Sequence, residues 1–280
     1  MSETIQKSDI EKLVGLAIAE DIGGGDITSQ AIFNKGDIAY GIIASKDVGI
    51  FCGSDVARIV YEIIDPKVSV TPLVRDGDTI RKNDRVMTVA GPTISVLSGE
   101  RIVLNFIQRM TAIATRTAKV VSTLTGTNIQ LLDTRKTLPG FRKLDKYAVK
   151  SGGGVNHRMG LYDMVMIKDN HIRAAGSIER AVQLVREHYG SQYTVEVETE
   201  SLEDVAEAVA SGTDIIMLDN MDGATMKAAV ELIGKKARIE VSGNMTEDRI
   251  KEISGLDVDY ISMGSLTHSV QAFDLSMDFE

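Results

Sequence analysis

Cysteine is nearly absent from this 280-residue chain, which contains Cys52 alone. A single thiol excludes an internal disulfide and any zinc or iron–sulfur site built from cysteines. Histidine is scarce as well, and its four positions (His157, His171, His188 and His268) show no spacing typical of metal ligands. The sequence therefore argues against a protein-bound transition metal.

Long apolar runs are also missing. No run approaches the ~20 residues that a membrane-spanning helix needs, and the first residues, MSETIQKSDIEKL, contain no apolar signal core. Together with the single thiol, this predicts a cytoplasmic protein that neither crosses a membrane nor is secreted. Hydrophobic residues still make up 43% of the chain, enough to bury a sizeable core.

Three common motifs of nucleotide-binding and hydrolytic enzymes are absent. No Gly-x-Gly-x-x-Gly follows an apolar run, so a dinucleotide-binding sheet loses support. LTGT at 124–127 resembles a phosphate-binding loop, but no Walker lysine follows it and we interpret it as a turn. Gly-x-Ser-x-Gly, the serine-hydrolase elbow, does not occur.

Positive charge is in the minority, with a formal net charge of −9, which argues against nucleic acid as a partner. Residues 135–168 are the exception, with two acidic and eight basic side chains: Arg135, Lys136, Arg142, Lys143, Lys146, Lys150, Arg158 and Lys168. We interpret the four from Arg142 to Lys150 as a solvated helix face. The other four have a different setting, at or near the ends of apolar runs.

The first 124 residues predict short strands and amphipathic helices. Apolar residues recur at helical spacing over 7–20, 55–64 and 93–124, the last as one or two long helices. DIGGGDITSQ, at 21–30, is expected to be rich in turns. Between 38 and 92, three β-like stretches are separated by Gly, Asp and Pro.

After residue 128, short apolar runs alternate strictly with helical segments that end at glycine. The runs cover 128–134, 163–169, 194–199, 214–220, 238–243 and 259–264. Repeated β–α units predict parallel strands with covered faces. Without a dinucleotide fingerprint, this pattern favours an α/β barrel, closed or nearly closed, over a doubly wound sheet.

Polar residues follow these runs where the carboxyl ends of parallel strands meet on one face. They are Asp133, Arg135, Lys136, Lys168, Glu198, Asp219, Ser242, Gly243 and Gly264. Helix capping could account for Asp219 and Ser242. It does not account for Arg135 and Lys168, because the helix dipole disfavours a cation at a helix N-terminus. The sequence thus predicts a site for an anionic substrate.

Some of these positions also have a structural interpretation. A lone histidine is usually structural, but His157 adjoins Arg158, which favours function. Lys168 either pairs with a neighbour such as Asp169 or faces a ligand, and we expect the ligand. His171 is expected to support Asp169 or the backbone.

Two acids after later runs, Glu198 and Asp219, could hold ribose hydroxyls, Mg²⁺ or a developing positive charge. Glu196 lies two residues before Glu198 and therefore points to the same side of the strand. We expect Glu198 to belong to the site because it is nearer the carboxyl end.

Seven segments together closely resemble the quinolinate phosphoribosyltransferase family, also called nicotinate-nucleotide pyrophosphorylase (carboxylating). They are EDIGGGDITS (20–29), SGERIVLNFIQR (98–109), 131–172, VEVE (195–198), MLDN (217–220), EVSGN (240–244) and SMGSLTHS (262–269). The resemblance implies an N-terminal α/β sandwich at 1–115, to which the C-terminal segment can return, and an open, TIM-like α/β barrel at 116–280. The family's barrel has seven mostly parallel strands. We identify six, and expect the seventh around 155–162 or 110–125.

The family resemblance also implies a reaction. Its members transfer phosphoribosyl from phosphoribosyl pyrophosphate to quinolinate, giving nicotinate mononucleotide, pyrophosphate and CO₂ for NAD biosynthesis. They use Mg²⁺ and work as homodimers with shared active sites, and assembly beyond the dimer stays open.

Roles for individual residues follow from the same motifs. Arg101 matches an arginine lent to the partner's site, and Lys136, Lys168, Glu198 and Asp219 match catalytic positions. The substrate-binding set is Arg101, Arg135, Lys136, His157, Arg158 and Lys168, and the phosphate-binding set is Ser242, Gly243, Asn244 and Gly264. Mg²⁺ is expected on the substrate's pyrophosphate, with Glu198 and Asp219 as candidate ligands. The chain has SGN at 242–244 where many members have Ser-Gly-Gly.

Three alternatives remain open at this point. A molybdenum-transport-associated pyrophosphorylase would share the fold, but the pattern of that group lacks the IKDNH element present at 167–171. A nicotinate phosphoribosyltransferase would not need a pocket for two carboxylates. A non-catalytic anion-binding protein on the same scaffold should have lost Lys168, Glu198 or Asp219.

Overall fold

The computed structural model describes residues 4–279, apart from the side chain of Glu247. The chain divides into two compact units. The first gathers Met1–Ala118, Thr137–Gly153 and Ser265–Glu280, and the second gathers Lys119–Lys136 and Gly154–Gly264. Within residues 4–279, no helix is both long enough and apolar enough to span a membrane.

The helices of the described range are α1 (Lys7–Asp21), α2 (Ile27–Ile32), α3 (Ser54–Ile64), α4 (Thr93–Thr123), α5 (Arg142–Ser151), α6 (Asp169–Ala175), α7 (Ile178–Tyr189), α8 (Leu202–Ala210), α9 (Gly223–Ile233), α10 (Glu247–Ile253) and α11 (Ser265–His268). The segment predicted as one or two helices is the single α4. The segment 21–30, predicted to be rich in turns, is helical from Ile27 onward. Asp26 accepts hydrogen bonds from the backbone N–H groups of Thr28 and Ser29 and thereby starts α2.

The strands are β1 (Ile38–Ser45), β2 (Gly49–Ile50), β3 (Ser69–Pro72), β4 (Thr79–Ile80), β5 (Arg85–Pro92), β6 (Gln130–Leu132), β7 (Val165–Ile167), β8 (Val195–Thr199), β9 (Ile215–Asp219), β10 (Arg238–Ser242), β11 (Tyr260–Ser262) and β12 (Leu275–Phe279). Each of the six predicted apolar runs after residue 128 contains one of β6–β11, so these strand predictions are confirmed.

The first unit is built on an antiparallel sheet with the strand order β12-β1-β5-β3. Its last strand pairs with its first, from Gly41 opposite Phe279 to Ser45 opposite Leu275. The C-terminal segment therefore completes a sheet that begins near residue 38. Helix α3 contributes a buried apolar face, in which the hydroxyl of Tyr61 donates to the carbonyl of Val96 at 2.9 Å.

One buried ion pair joins the three segments of this unit. Arg109, on α4, donates two hydrogen bonds of 2.8 Å to the carboxylate of Asp145 on α5 and a third, also 2.8 Å, to the carbonyl of Thr267 on α11. Asp145 is fully buried. Burial raises the pKa of this carboxyl group, and Arg109 opposes that shift.

Helix α5 also corrects one expectation. Lys143 and Lys150 are exposed, as a solvated basic face requires, but Lys146 is buried. Lys146 follows Asp145 directly and lies one turn before Val149, and both of these neighbours are buried. It therefore lies on the inward side of the helix.

The second unit contains a six-stranded parallel sheet, ordered β6-β11-β10-β9-β8-β7. Its strands are also joined at their amino ends: Asp214 accepts from the N–H of Val195 at 2.7 Å, and Asp259 accepts from the N–H of Ile239 at 2.8 Å. No seventh strand is present among residues 4–279. An isolated parallel bridge between Leu132 and Val155 extends the sheet beside β6, and residues 110–123 are helical.

We predict that Arg109→Met lowers the free energy of unfolding by about 3–5 kcal/mol, because it leaves Asp145 buried without its counter-charge. The folded-state pKa of Asp145 is already raised, and losing Arg109 raises it further. The folded state then binds more protons than the unfolded state, so the loss should grow as the pH rises above about 4.

Urea unfolding at pH 5 and pH 8 measures this difference. Arg116→Met is the matched control, since Arg116 lies on the same helix with an exposed side chain, and it should change stability by less than about 0.5 kcal/mol. Equal effects of the two substitutions would contradict the role given to Arg109.

Candidate active site

The carboxyl ends of the parallel strands surround a cavity of about 380 Å³ within the second unit. Eight of the residues predicted from the sequence line it: Arg135, Lys136, His157, Arg158, Lys168, Glu198, Asp219 and Ser242. Its other walls come from Thr134, Met166, Met217, Glu240 and Ser262. The prediction that polar residues after apolar runs meet at one edge is therefore confirmed for the six of these that follow such runs, all except His157 and Arg158.

Lys168 lies at the junction between β7 and α6, as the residue that precedes the first turn of the helix. Its ammonium group contacts the carboxylate of Glu198 at the end of β8. The partner is thus Glu198 rather than Asp169. The backbone N–H of Lys168 donates to Nδ1 of His171 at 3.0 Å, so His171 supports the backbone, as expected.

The fully buried carboxylate of Asp133 fixes the backbone of the segment that carries His157 and Arg158. Asp133 accepts from the side-chain amide of Asn156 at 2.6 Å and from the backbone N–H of His157 at 2.9 Å. The guanidinium of Arg158 donates to the carbonyl of Met164 at 3.1 Å. These contacts fix the direction from which the Arg158 side chain reaches the cavity.

Arg158 is nine-tenths buried in spite of its charge. Burial, followed by repulsion from Arg135, lowers the pKa of its guanidinium, while Glu196 and Asp163 act in the opposite direction. Two guanidinium groups close enough to repel each other create a strongly electropositive wall. An anion in the cavity would relieve that repulsion.

A cluster that the sequence interpretation missed lies at the floor of the cavity. Nε2 of His157 lies 3.1 Å from Oε2 of Glu196 and 3.3 Å from Oε2 of Glu240. Both glutamates are almost wholly buried. Burial lowers the pKa of His157, but the two carboxylates outweigh it and raise this pKa overall; burial also raises the pKa of Glu196.

Strand periodicity is the signal that could have revealed this cluster. Glu196 lies two residues before Glu198 on β8, and Glu240 lies two residues before Ser242 on β10. Side chains at i and i+2 share one face of a strand. Each strand therefore contributes one polar side chain near its carboxyl end and a second one deeper.

Three carboxylates near the cavity could hold a hard cation. Each of Glu198, Glu200 and Asp219 offers an oxygen within 4.8 Å of the other two. Carboxylate oxygens are the ligands that Mg²⁺ prefers, and this donor set therefore fits it. Glu200 was not predicted from the sequence; it is exposed and follows β8 directly.

The predicted phosphate-binding turn follows β10. Gly243 has φ = 95° and Asn244 has φ = 40°, while Asn220, after the neighbouring β9, has φ = 55°. The N–H of Asn220 donates to the carbonyl of Ser242 at 3.1 Å. Left-handed backbone at adjacent strand ends gives two sharp turns in contact. Gly264 is the second residue after the end of β11.

Arg101 is placed differently from the other predicted site residues. It lies on α4 within the first unit, and its side chain is exposed. Its role as an arginine lent to a partner stays a prediction.

Gly243→Ala should destabilise the protein more than Gly126→Ala does. Both glycines have positive φ values, 95° and 89°, so alanine strains the backbone at either position, by about 1 kcal/mol. An added Cβ at Gly126 meets nothing within 4 Å, whereas at Gly243 it would lie 2.1 Å from Oδ1 and 2.9 Å from the backbone nitrogen of Asn220. Urea unfolding of both variants checks this, and equal losses would show that the two turns are not in contact.

The amino-acid sequence matches a known enzyme family over nearly the whole chain. Residues 26–111 match the family described as quinolinate phosphoribosyl transferase, N-terminal domain, and residues 113–278 match its C-terminal domain. The probable nicotinate-nucleotide pyrophosphorylase [carboxylating] of Bacillus subtilis is 44% identical over 269 residues, covering 96% of this chain and 93% of the relative. The chloroplastic nicotinate-nucleotide pyrophosphorylase [carboxylating] of Arabidopsis thaliana is 42% identical, covering 97% and 83%.

Solved structures extend the similarity to the fold. The crystal structure of NadC from Streptococcus pyogenes superposes with a TM-score of 0.95 at 40% identity, covering 99% of this chain and 98% of that one. The nicotinate-nucleotide pyrophosphorylase from Francisella tularensis gives a TM-score of 0.93 at 38% identity, covering 100% and 99%. This chain belongs to the quinolinate phosphoribosyltransferase family of enzymes.

Proposed function

We propose that this protein transfers the phosphoribosyl group of phosphoribosyl pyrophosphate to quinolinate and removes CO₂, producing nicotinate mononucleotide and pyrophosphate for NAD biosynthesis. The observation that carries the proposal is the cavity of the second unit. It brings Arg135, Lys136, Arg158 and Lys168 together with Glu198, Asp219 and Ser242 in a chain of this family.

Quinolinate is a dianion, and phosphoribosyl pyrophosphate carries several more negative charges. Arg135 and Arg158 suit the carboxylates of quinolinate because a guanidinium binds a carboxylate through two parallel hydrogen bonds. Lys136 and Lys168 add point charges that can follow the shape of the ligand. The overall charge of the chain is −9, so this cavity is the part of the surface that attracts anions.

Transfer breaks the bond between the anomeric carbon and the pyrophosphate oxygen, and forms a bond to the ring nitrogen of quinolinate. The ribose develops positive charge during this displacement. Glu198 and Asp219 lie at the ends of adjacent strands, where they can hold the ribose hydroxyls and stabilise that charge. Glu198 and Asp219 would hold Mg²⁺, which would neutralise the negative charge of the leaving pyrophosphate.

Loss of CO₂ needs no further cofactor in this scheme. Once the ring nitrogen is ribosylated it is cationic, and the electron pair left at the adjacent carbon is stabilised by that charge. A proton then replaces the carboxylate. The protein has to keep the ring oriented, which is the task proposed for Arg135, His157 and Arg158.

The turns after β10 and β11 are proposed to bind the 5′-phosphate. Ser242, Gly243 and Asn244 form the first of them and Gly264 belongs to the second. Backbone N–H groups in sharp, partly left-handed turns make concave anion sites. Asn244 adds a side-chain amide at this point.

We further propose a cytoplasmic homodimer in which Arg101 completes the partner's site. The exposure of Arg101 on α4 is compatible with this arrangement. Assembly beyond the dimer is left to experiment.

A coupled assay with phosphoribosyl pyrophosphate and Mg²⁺ tests the reaction. Quinolinate is supplied in one tube and nicotinate in another. We expect nicotinate mononucleotide and CO₂ from quinolinate alone. Product from nicotinate alone would keep the phosphoribosyl transfer but replace the substrate. Inactivity in both tubes would favour the molybdenum-transport-associated group or a non-catalytic anion-binding protein.

Subunit exchange tests the shared site. Arg101→Ala and Lys168→Ala should each abolish most turnover and leave the melting temperature nearly unchanged, because both side chains are partly or fully exposed. Equal mixing should restore about a quarter of the wild-type activity, since half of the dimers are hybrids with one whole site in two. Failure of the mixture to recover activity after verified exchange would contradict a site that Arg101 completes from the partner.

A further inference from the structure

The two buried glutamates at the cavity floor, Glu196 and Glu240, have no part in the proposed transfer itself. Glu196 and Glu240 are 0% and 1% exposed, and within the described residues none of their four carboxylate oxygens accepts a hydrogen bond that meets ordinary geometry. Each carboxylate approaches Nε2 of His157, and the two carboxylates also lie close to each other, within 4.8 Å. Two buried carboxylates facing one imidazole are costly to maintain. Such an arrangement calls for a functional reason.

The same three side chains are also typical metal ligands. Donor atoms 3.1 and 3.3 Å apart suit a common ion. The other ring nitrogen argues against a metal. Nδ1 of His157 accepts a hydrogen bond of 2.7 Å from the backbone N–H of Arg158, so it carries no proton. Glu196 and Glu240 raise the pKa of His157, but a second proton, on Nδ1, would break the hydrogen bond from Arg158. A ring that keeps this bond has its proton on Nε2 alone. The space between Nε2 and the carboxylates is occupied by that proton.

His157 is thereby held on three sides. Nε2 faces the two glutamates, Nδ1 holds the peptide N–H of Arg158, and its own peptide N–H donates to Asp133. The ring therefore connects the carboxylates to the backbone that carries the Arg158 guanidinium. A ring that rotated about χ2 would lose the bond to Arg158 and the approach to Glu196 together.

We infer that Glu196 and Glu240 are positioning residues that lock His157 in its Nε2–H tautomer and thereby hold Arg158 in the orientation that binds the substrate carboxylate. This rests on the proposed function, because Arg158 is assigned to quinolinate there. Glu196 is the cleaner probe of the two, since Glu240 also lines the cavity and Glu196 does not.

Glu196→Leu and Glu196→Gln separate positioning from folding. Leucine removes the nearer of the two acceptors and leaves Glu240, at 3.3 Å. It also removes one of two buried carboxylates that repel each other, which favours the folded state. We expect Glu196→Leu to keep or raise the melting temperature and to weaken quinolinate binding by about 10- to 100-fold. Glu196→Gln retains an acceptor oxygen and should stay within about 3-fold of wild type. The KM for phosphoribosyl pyrophosphate should not change.

Calorimetry with quinolinate and long-range ¹H–¹⁵N NMR of the labelled histidines are the two measurements. In the wild type and in Glu196→Gln, His157 should show the Nε2–H tautomer alone. In Glu196→Leu, the spectrum of His157 should no longer be that of the Nε2–H tautomer alone. Asp214→Asn is the matched control, because Asp214 binds Arg186 and the N–H of Val195 at the amino end of the same sheet. It should lower the melting temperature and leave quinolinate affinity unchanged.

Several results would overturn the inference. They are normal quinolinate binding by Glu196→Leu, equal losses in the leucine and glutamine variants, an Nδ1–H tautomer or an imidazolium at His157 in the wild type, or a metal that the wild type binds and Glu196→Leu does not. The NMR measurement decides even if the leucine variant does not fold. Wild-type protein that shows the expected tautomer but does not bind quinolinate would refute the proposed function and leave the lock on His157 standing.

Discussion

The second unit depends on keeping several cations close together at one edge of a parallel sheet before any ligand arrives. Arg135 and Arg158 repel each other, and Lys168 follows the carboxyl end of β7 directly. Two of these charges have an acid of β8 as a neighbour: Glu198 contacts Lys168, and Glu196 opposes the shift in the pKa of Arg158. The protein itself thus balances part of the positive charge of the site, which limits the repulsion that the fold must withstand.

This balance is arranged in two layers. The upper layer, at the strand ends, contains the groups assigned to the substrates, among them Lys168, Glu198 and Asp219. The lower layer contains Asp133, Glu196 and Glu240, which contact the protein and are buried. Strand geometry places the layers two residues apart. The upper layer can then exchange its contacts when ligands bind, while the lower layer keeps the backbone in place.

The sequence predicted most of this architecture because its strongest signals are local. Apolar runs separated by amphipathic segments determine β6–β11, and polar residues directly after them identify the edge where the site lies. The sequence places Glu196 on the same side of its strand as Glu198, but it does not predict that Glu196 and Glu240 meet at His157. Both glutamates lie inside apolar runs, and the sequence does not give their neighbours across the sheet. Lys146 shows the same limit, since its burial follows from packing against α5 and not from its residue type. The partner of Lys168 was also missed, because Glu198 is 30 residues away in sequence.

The pairing of β12 with β1 has a consequence for synthesis of the chain. The antiparallel sheet of the first unit requires a strand that the ribosome makes after the whole second unit. All of β6–β11 can emerge and pair while β1 still has an open edge, and an open edge is a template for unwanted pairing with other chains. Tyr40 and Ile38 on that strand are half exposed even in the finished protein. The nascent chain is therefore most vulnerable to aggregation in the interval between completion of β11 and arrival of β12, when the unit that starts first is the last to close.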